Sequence, residues 1–156
     1  MKDIKSPPIL IYWLGNILYR MRIPILPLII SWFNRFLFAV WIPSSVKIGK
    51  NFTLGYWGLG VVIHSNTKIG NNCLVAQNVT IGRNFGDNKV PEIGDDVYIG
   101  AGSVVFGEIK IGDNVIIGSN SVINKDVPSN VTVVGNPMRV IQENRVLKYY
   151  EIDKNK

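Results

Sequence analysis

The chain has 156 residues, 47% of them hydrophobic and 18% charged, with a formal net charge of +6. That is one domain's worth of chain with enough apolar material for a real core, which excludes intrinsic disorder. The charge is uneven: residues 1–41 carry Lys2, Lys5, Arg20, Arg22 and Arg35 against Asp3 alone, and the remainder has no basic run with interleaved aromatics, which argues against nucleic-acid binding.

Residues 8–41 are apolar and aromatic, and their pattern predicts two helices, about 8–21 and 27–40, with Pro24 and Pro27 tolerated near the start of the second. Neither is a clean transmembrane span. The first is short and holds Gly15 and Asn16, and the second carries Asn34 and Arg35 at its middle, where charge in a bilayer is expensive. Two readings of the segment stand. It is a helical cap packed on the rest of the chain or on a neighbouring subunit, or it is an interfacial anchor using Trp13, Trp32 and Trp41 with flanking basic residues. No cleavable leader pattern opens the chain, and a single cysteine rules out an intramolecular disulfide, so the expected compartment is the cytoplasm. The anchor reading would put the protein at the inner face of the membrane.

From Ile42 the pattern changes. Ile42, Ile48 and Leu54 stand six apart; the next residue in phase is Ile63, nine on, so three extra residues bulge out in the glycine-rich, aromatic stretch Gly55–Gly60. Ile63, Ile69, Val75 and Ile81 restore the period, and a polar loop, 83–92, then interrupts it. Between Ile93 and Pro128 an aliphatic residue returns at every sixth position: Ile93, Ile99, Val105, Ile111, Ile117 and Ile123. A helix needs spacings of three and four and a simple strand needs two. A strict six predicts an all-β fold, a parallel β-helix of hexapeptide repeats, with glycine, asparagine and aspartate at the corners. Cys73 falls four residues after Ile69, where other hexads place a small buried residue, and reads as core rather than as a reactive thiol. The chain thus divides into an apolar helical segment (1–41), a repeat domain (42–141) and a polar tail (142–156) that we expect to be helical with a frayed end.

The segments Ile99-Gly100-Ala101-Gly102-Ser103-Val104-Val105, Ile117 to Pro128, and Gly135-Asn136-Pro137-Met138-Arg139-Val140-Ile141 resemble the hexapeptide-repeat acyltransferases. Within that superfamily the likeness is to serine O-acetyltransferases and to O-acetyltransferases of surface-polysaccharide synthesis, and it covers roughly Ile42 to Ile141. The resemblance implies a left-handed coil, acetyl-CoA as donor, a homotrimer, and a hydroxyl acceptor on serine or on a sugar.

His64 is the single histidine and follows the bulge directly, where its side chain would leave the core. Acyl transfer to a hydroxyl needs a base working near neutral pH, so His64 is the candidate general base, with a structural corner residue as the alternative. Tyr56 and Trp57 in the bulge and Asp87 in the loop are the candidate acceptor contacts, and Asp87 or a backbone carbonyl would orient His64. Gly82 or Gly100 could offer a backbone amide to a developing oxyanion. The resemblance further places Ala101 and Ser119 along a groove for the pantetheine arm, and Lys125 and Arg139 at the nucleotide phosphates, where each is otherwise a solvated surface charge. The serine enzymes carry a histidine in the segment corresponding to Gly55-Tyr56-Trp57, an aspartate where this chain has Trp41, and a second histidine where it has Val90. Those departures favour a sugar hydroxyl over free serine. One His and one Cys provide no metal site of the usual kind, so none is expected. The rival from another class is a non-catalytic scaffold rod, which would have no use for a bulge beside His64 and a polar loop at 83–92.

Overall fold

A computed structural model describes residues 6–86 and 88–155. Two helices open it, α1 over Pro7–Arg20 and α2 over Leu26–Phe38, each with proline in its first turn, where no amide hydrogen bond is lost. Both begin slightly earlier than the pattern predicts. The second also ends earlier, because Ala39 turns left-handed at φ 55° and Val40 already belongs to the core of the rod.

Beyond them the chain winds as a left-handed β-helix whose three faces are parallel sheets of very short strands. The first face stacks Lys47–Ile48, Lys68–Ile69, Glu92–Ile93 and Lys110–Ile111. The second stacks Thr53–Leu54, Leu74–Val75, Tyr98–Ile99, Ile116–Ile117 and Thr132–Val134. The third stacks Val62–Ile63, Thr80–Gly82, Val104–Phe106 and Val122–Ile123. Six-residue spacing puts one inward aliphatic on each face per coil, and parallel register sets like on like: Ile48 on Ile69 on Ile93 on Ile111, and Ile63 on Ile81 on Val105 on Ile123. Ile63, Ile81, Val105, Ile117 and Ile123 are wholly shielded from solvent. At roughly 1.5–3 kcal/mol for each such side chain, these columns dominate the stability of the rod.

The bulge and the loop leave this stacking intact. Ile48 pairs with Ile69 across the bulge, and Ile69 with Ile93 across the loop, so the extra residues leave at corners and the strands keep phase.

Corners need left-handed backbone, and Asn51, Asn72, Asp96 and Asn114 supply it between the first and second faces, all with φ between 54° and 59°. Their side chains also form a ladder: Asn51 Nδ2 donates to Asn72 Oδ1 at 3.0 Å, and Asn72 Nδ2 to Asp96 Oδ1 at 3.0 Å. Past Val134 the chain reverses, and Arg139–Gln142 closes the open edge of the second face as an antiparallel strand. The tail then runs back along the asparagine corner to a 3₁₀ helix over Tyr149–Asn155. Arg145 N–H donates to Asn130 O at 2.8 Å, Lys148 pairs with Asp96 at 3.0 Å, and the Tyr149 hydroxyl donates to Asn72 O at 2.9 Å.

Candidate active site

His64 directly follows the third-face strand Val62–Ile63, at the corner leading to the first face. Its backbone is pinned there, since His64 N–H donates to Ile81 O at 2.9 Å and Thr67 N–H donates to His64 O at 3.0 Å. The imidazole is half-buried, and its Nδ1 accepts the backbone N–H of Asn66 at 3.2 Å. An Nδ1 that accepts leaves the proton of the neutral ring on Nε2. In this arrangement His64 offers a donor at Nε2, and taking a proton there requires the ring to give up its Asn66 contact.

Gly82 lies beside His64 in the same corner, one coil along, by the register of Val62 with Thr80 and Ile63 with Ile81. Nothing lies within 4 Å of where a Cβ on Gly82 would sit, so the corner is open at that point. The loop begins there. Its Lys89 pairs with Glu108, and Pro91 returns it to the buried edge of the first face. Asp87 falls outside the described residues. Lys125 occupies the same line of corners further along, exposed, after Val122–Ile123.

Tyr56 and Trp57 lie elsewhere, at the corner between the second and third faces. Both adopt left-handed backbone, with φ of 48° and 58°, which turns their rings outward; Trp57 packs edge-on against Phe38 of α2 at 6.0 Å. Ala101 and Ser119 continue this second line of corners, and Arg139 joins it at the far end, paired across from Val134. Small residues mark the line. Gly55 lies against Ala76, and a Cβ at Gly100 would meet Ser119 N at 2.5 Å, so successive coils pack closely along this line. Neither Lys125 nor Arg139 is in an ion pair among the described residues.

The candidate residues therefore fall on two edges. Tyr56, Trp57, Ala101, Ser119 and Arg139 share one; His64, Gly82 and Lys125 share the other; the third face separates them within a single chain. Trp41, where the serine enzymes have an aspartate, is bridged to Val62 on that face and meets Trp32 edge-on at 5.3 Å, with the Arg35 guanidinium 5.7 Å over its ring. The sequence reading missed Asn66, and the only hint was its place two residues after histidine in a tight corner. Cys73 is inert: burial, opposed by a backbone hydrogen bond, pushes its thiol up to about 12.

Residues 91–125 match the family described as bacterial transferase hexapeptide (six repeats). A serine acetyltransferase of Synechococcus elongatus is 40% identical over 131 residues, covering 83% of this chain and 53% of the relative. The chain carries the hexapeptide-repeat acyltransferase fold and resembles serine O-acetyltransferases. Among solved structures, soybean serine acetyltransferase complexed with serine superposes at a TM-score of 0.81 with 35% identity, over 86% of this chain and 56% of that one. Serine acetyltransferase from Brucella abortus in complex with coenzyme A gives a TM-score of 0.84 with 28% identity, over 89% and 56%. The chain thus spans little more than half the length of these relatives.

Proposed function

We propose that this protein is an acetyl-CoA-dependent O-acetyltransferase that works as a homotrimer, with its reaction site between subunits and a sugar hydroxyl as acceptor. The observation that carries the proposal is the division of the candidate residues between two edges flanking one face. That third face presents Trp41, Val62, Thr80, Val104 and Val122 outward and no charge, whereas the first presents Lys47, Lys68, Glu92 and Lys110. The second face is uncharged as well, outward at Thr53, Leu74, Tyr98 and Ile116, but Tyr149 of the tail packs on Tyr98, which leaves the third as the uncharged face open to burial against a second subunit. Such burial would bring the Tyr56–Ala101–Ser119 edge of one chain against the His64–Gly82 edge of the next. The likeness to serine acetyltransferases supports the donor, and the departures at Tyr56, Trp41 and Val90 support a sugar acceptor over free serine. A cytoplasmic site at the inner face of the membrane suits both.

In this reading His64 takes the proton of the acceptor hydroxyl as its oxygen attacks the acetyl carbonyl carbon. The carbon–sulfur bond breaks, the sulfur of CoA leaves with the proton, and an acetyl ester remains. For Nε2 to act so, acceptor binding must turn the ring and release the Asn66 N–H, leaving the proton on Nδ1 facing a carbonyl or carboxylate.

The test is thioester cleavage with serine, nucleotide sugars and lipid-linked sugars, comparing wild type with His64→Ala and His64→Gln. Loss of about 10²–10⁴-fold in both variants is expected for a base. Retention in His64→Gln would assign His64 as a hydrogen-bond donor, and no turnover with any acceptor would sink the enzyme reading in favour of a scaffold.

A further inference from the structure

The helix pair is turned inside out. On α2 the buried positions are Pro27, Ser31 and Asn34, and on α1 they include Gly15 and Asn16 beside Ile9 and Tyr12. This seam is held by polar contacts: Ser31 Oγ and Ser44 Oγ both reach Pro27 O at 2.9 Å, Asn16 Nδ2 donates to Ser44 O at 2.8 Å, and Asn34 Nδ2 donates to Pro8 O at 3.0 Å. The outward side is apolar. Leu10, Leu14 and Ile17 on α1, and Ile29, Phe33 and Phe36 on α2, are each more than half exposed. A water-facing helix hides its apolar stripe, whereas small and polar residues at the seam with hydrocarbon outside are the arrangement of helices surrounded by lipid. Neither helix is long and apolar enough to cross a membrane.

Charge points the same way. Between Ile4 and Gly86 the sequence holds no aspartate or glutamate, while Arg20, Arg22, Arg35, Lys47 and Lys50 all fall at this end. A cleft of about 530 Å³ between α1 and the first coil is lined by Trp13, Tyr19, Arg20, Lys47 and Lys68; Glu92 pairs with Lys68, which leaves Arg20 and Lys47 as its free cations among the described residues. At about 100° per residue, Trp13 and Arg20 sit roughly a quarter turn around α1 from the Leu10–Leu14–Ile17 stripe, at the level of headgroups if that stripe faces acyl chains.

We propose that α1 and α2 lie in the surface of an anionic membrane, their outward face in the acyl region and lipid phosphates taken by Arg20, Arg22 and Lys47 in and beside the cleft. A second copy of this chain is the weaker occupant: a two-fold contact through this face would set Arg20 and Arg22 against their own images, and the three-fold contact proposed above runs through the third face of the rod instead. The proposal does not depend on acyl transfer.

The experiment is flotation of the full chain with vesicles of phosphatidylcholine alone or with about one third phosphatidylglycerol, together with quenching of tryptophan by brominated acyl chains. Binding to the anionic vesicles with quenching is expected. Phe33→Glu/Phe36→Glu should abolish it with an unchanged circular dichroism melt, since both side chains are exposed. Arg20→Glu/Arg22→Glu should weaken it by about tenfold or more. Three results would overturn the proposal: no binding to anionic vesicles, binding equal in the Phe33→Glu/Phe36→Glu variant, or a lipid-free assembly that this variant splits into smaller ones.

Discussion

Asn66 governs what His64 can do before any substrate arrives, because one backbone N–H on Nδ1 decides which ring nitrogen keeps the proton. The importance of His64 was legible from its uniqueness and its place after the bulge; its tautomer was not, since that depends on how one corner folds. Two further residues give direct tests. With its thiol buried and pushed up to about 12, Cys73 stays protonated and shielded at pH 8, so a thiol reagent should label it only after denaturation. Asp96 is the other. Burial alone would raise its carboxyl, but hydrogen bonds from Lys148, Asn72 and Tyr150 outweigh that and hold it below the ordinary carboxylate range. A lowered folded value contributes stability above the unfolded value and loses it as pH falls through the folded one. The protection of amides in residues 145–152, relative to the free-chain exchange rate at the same pH, should therefore hold at pH 7 and 5 and fall only in more acid solution, and Asp96→Asn should lower it at pH 7.

At the scale of elements, the six-residue period was enough to name every inward column from Ile42 to Ile123, since no regular structure other than a three-faced coil repeats at that interval. Ile117→Ala, between Ile99 and Val133 in the second-face column, should cost about 2–5 kcal/mol in urea unfolding, and Ile111→Asp should prevent folding by placing a carboxylate in a dry column. Gly102 makes a sharper test of the corners. Its φ is +71° and a Cβ would come within 2.3 Å of Asn120 Oδ1, so Gly102→Val should destabilise more than the same change at the open Gly82. The helices were legible in extent but not in orientation. Apolar residues occur on nearly every side, and only the hydrogen bonds of Ser31, Asn34 and Asn16 reveal that the seam is the polar side.

For the molecule as a whole, the uncharged third face predicts its own disruption. Val104→Arg should convert the proposed trimer to monomers in sedimentation velocity and abolish turnover while leaving the melt of the single chain nearly unchanged, whereas Lys110→Glu on the charged first face should do neither. The antiparallel return at Arg139–Gln142 and the run of the tail along the corners were not legible, because they rest on contacts such as Tyr149 with Asn72, 77 residues apart. That tail changes how the rod comes apart. A stack in which each layer touches only its neighbours frays from its ends, one layer at a time, and melts broadly. Here the last residues clasp Asn130, Asp96 and Asn72, so the final layer cannot peel without freeing layers near the other end. A ladder that would otherwise unzip is thereby made into a closed clasp. Its thermal transition should be sharp and single, and removal of residues 145–156 should spread that transition over a wider range of temperature.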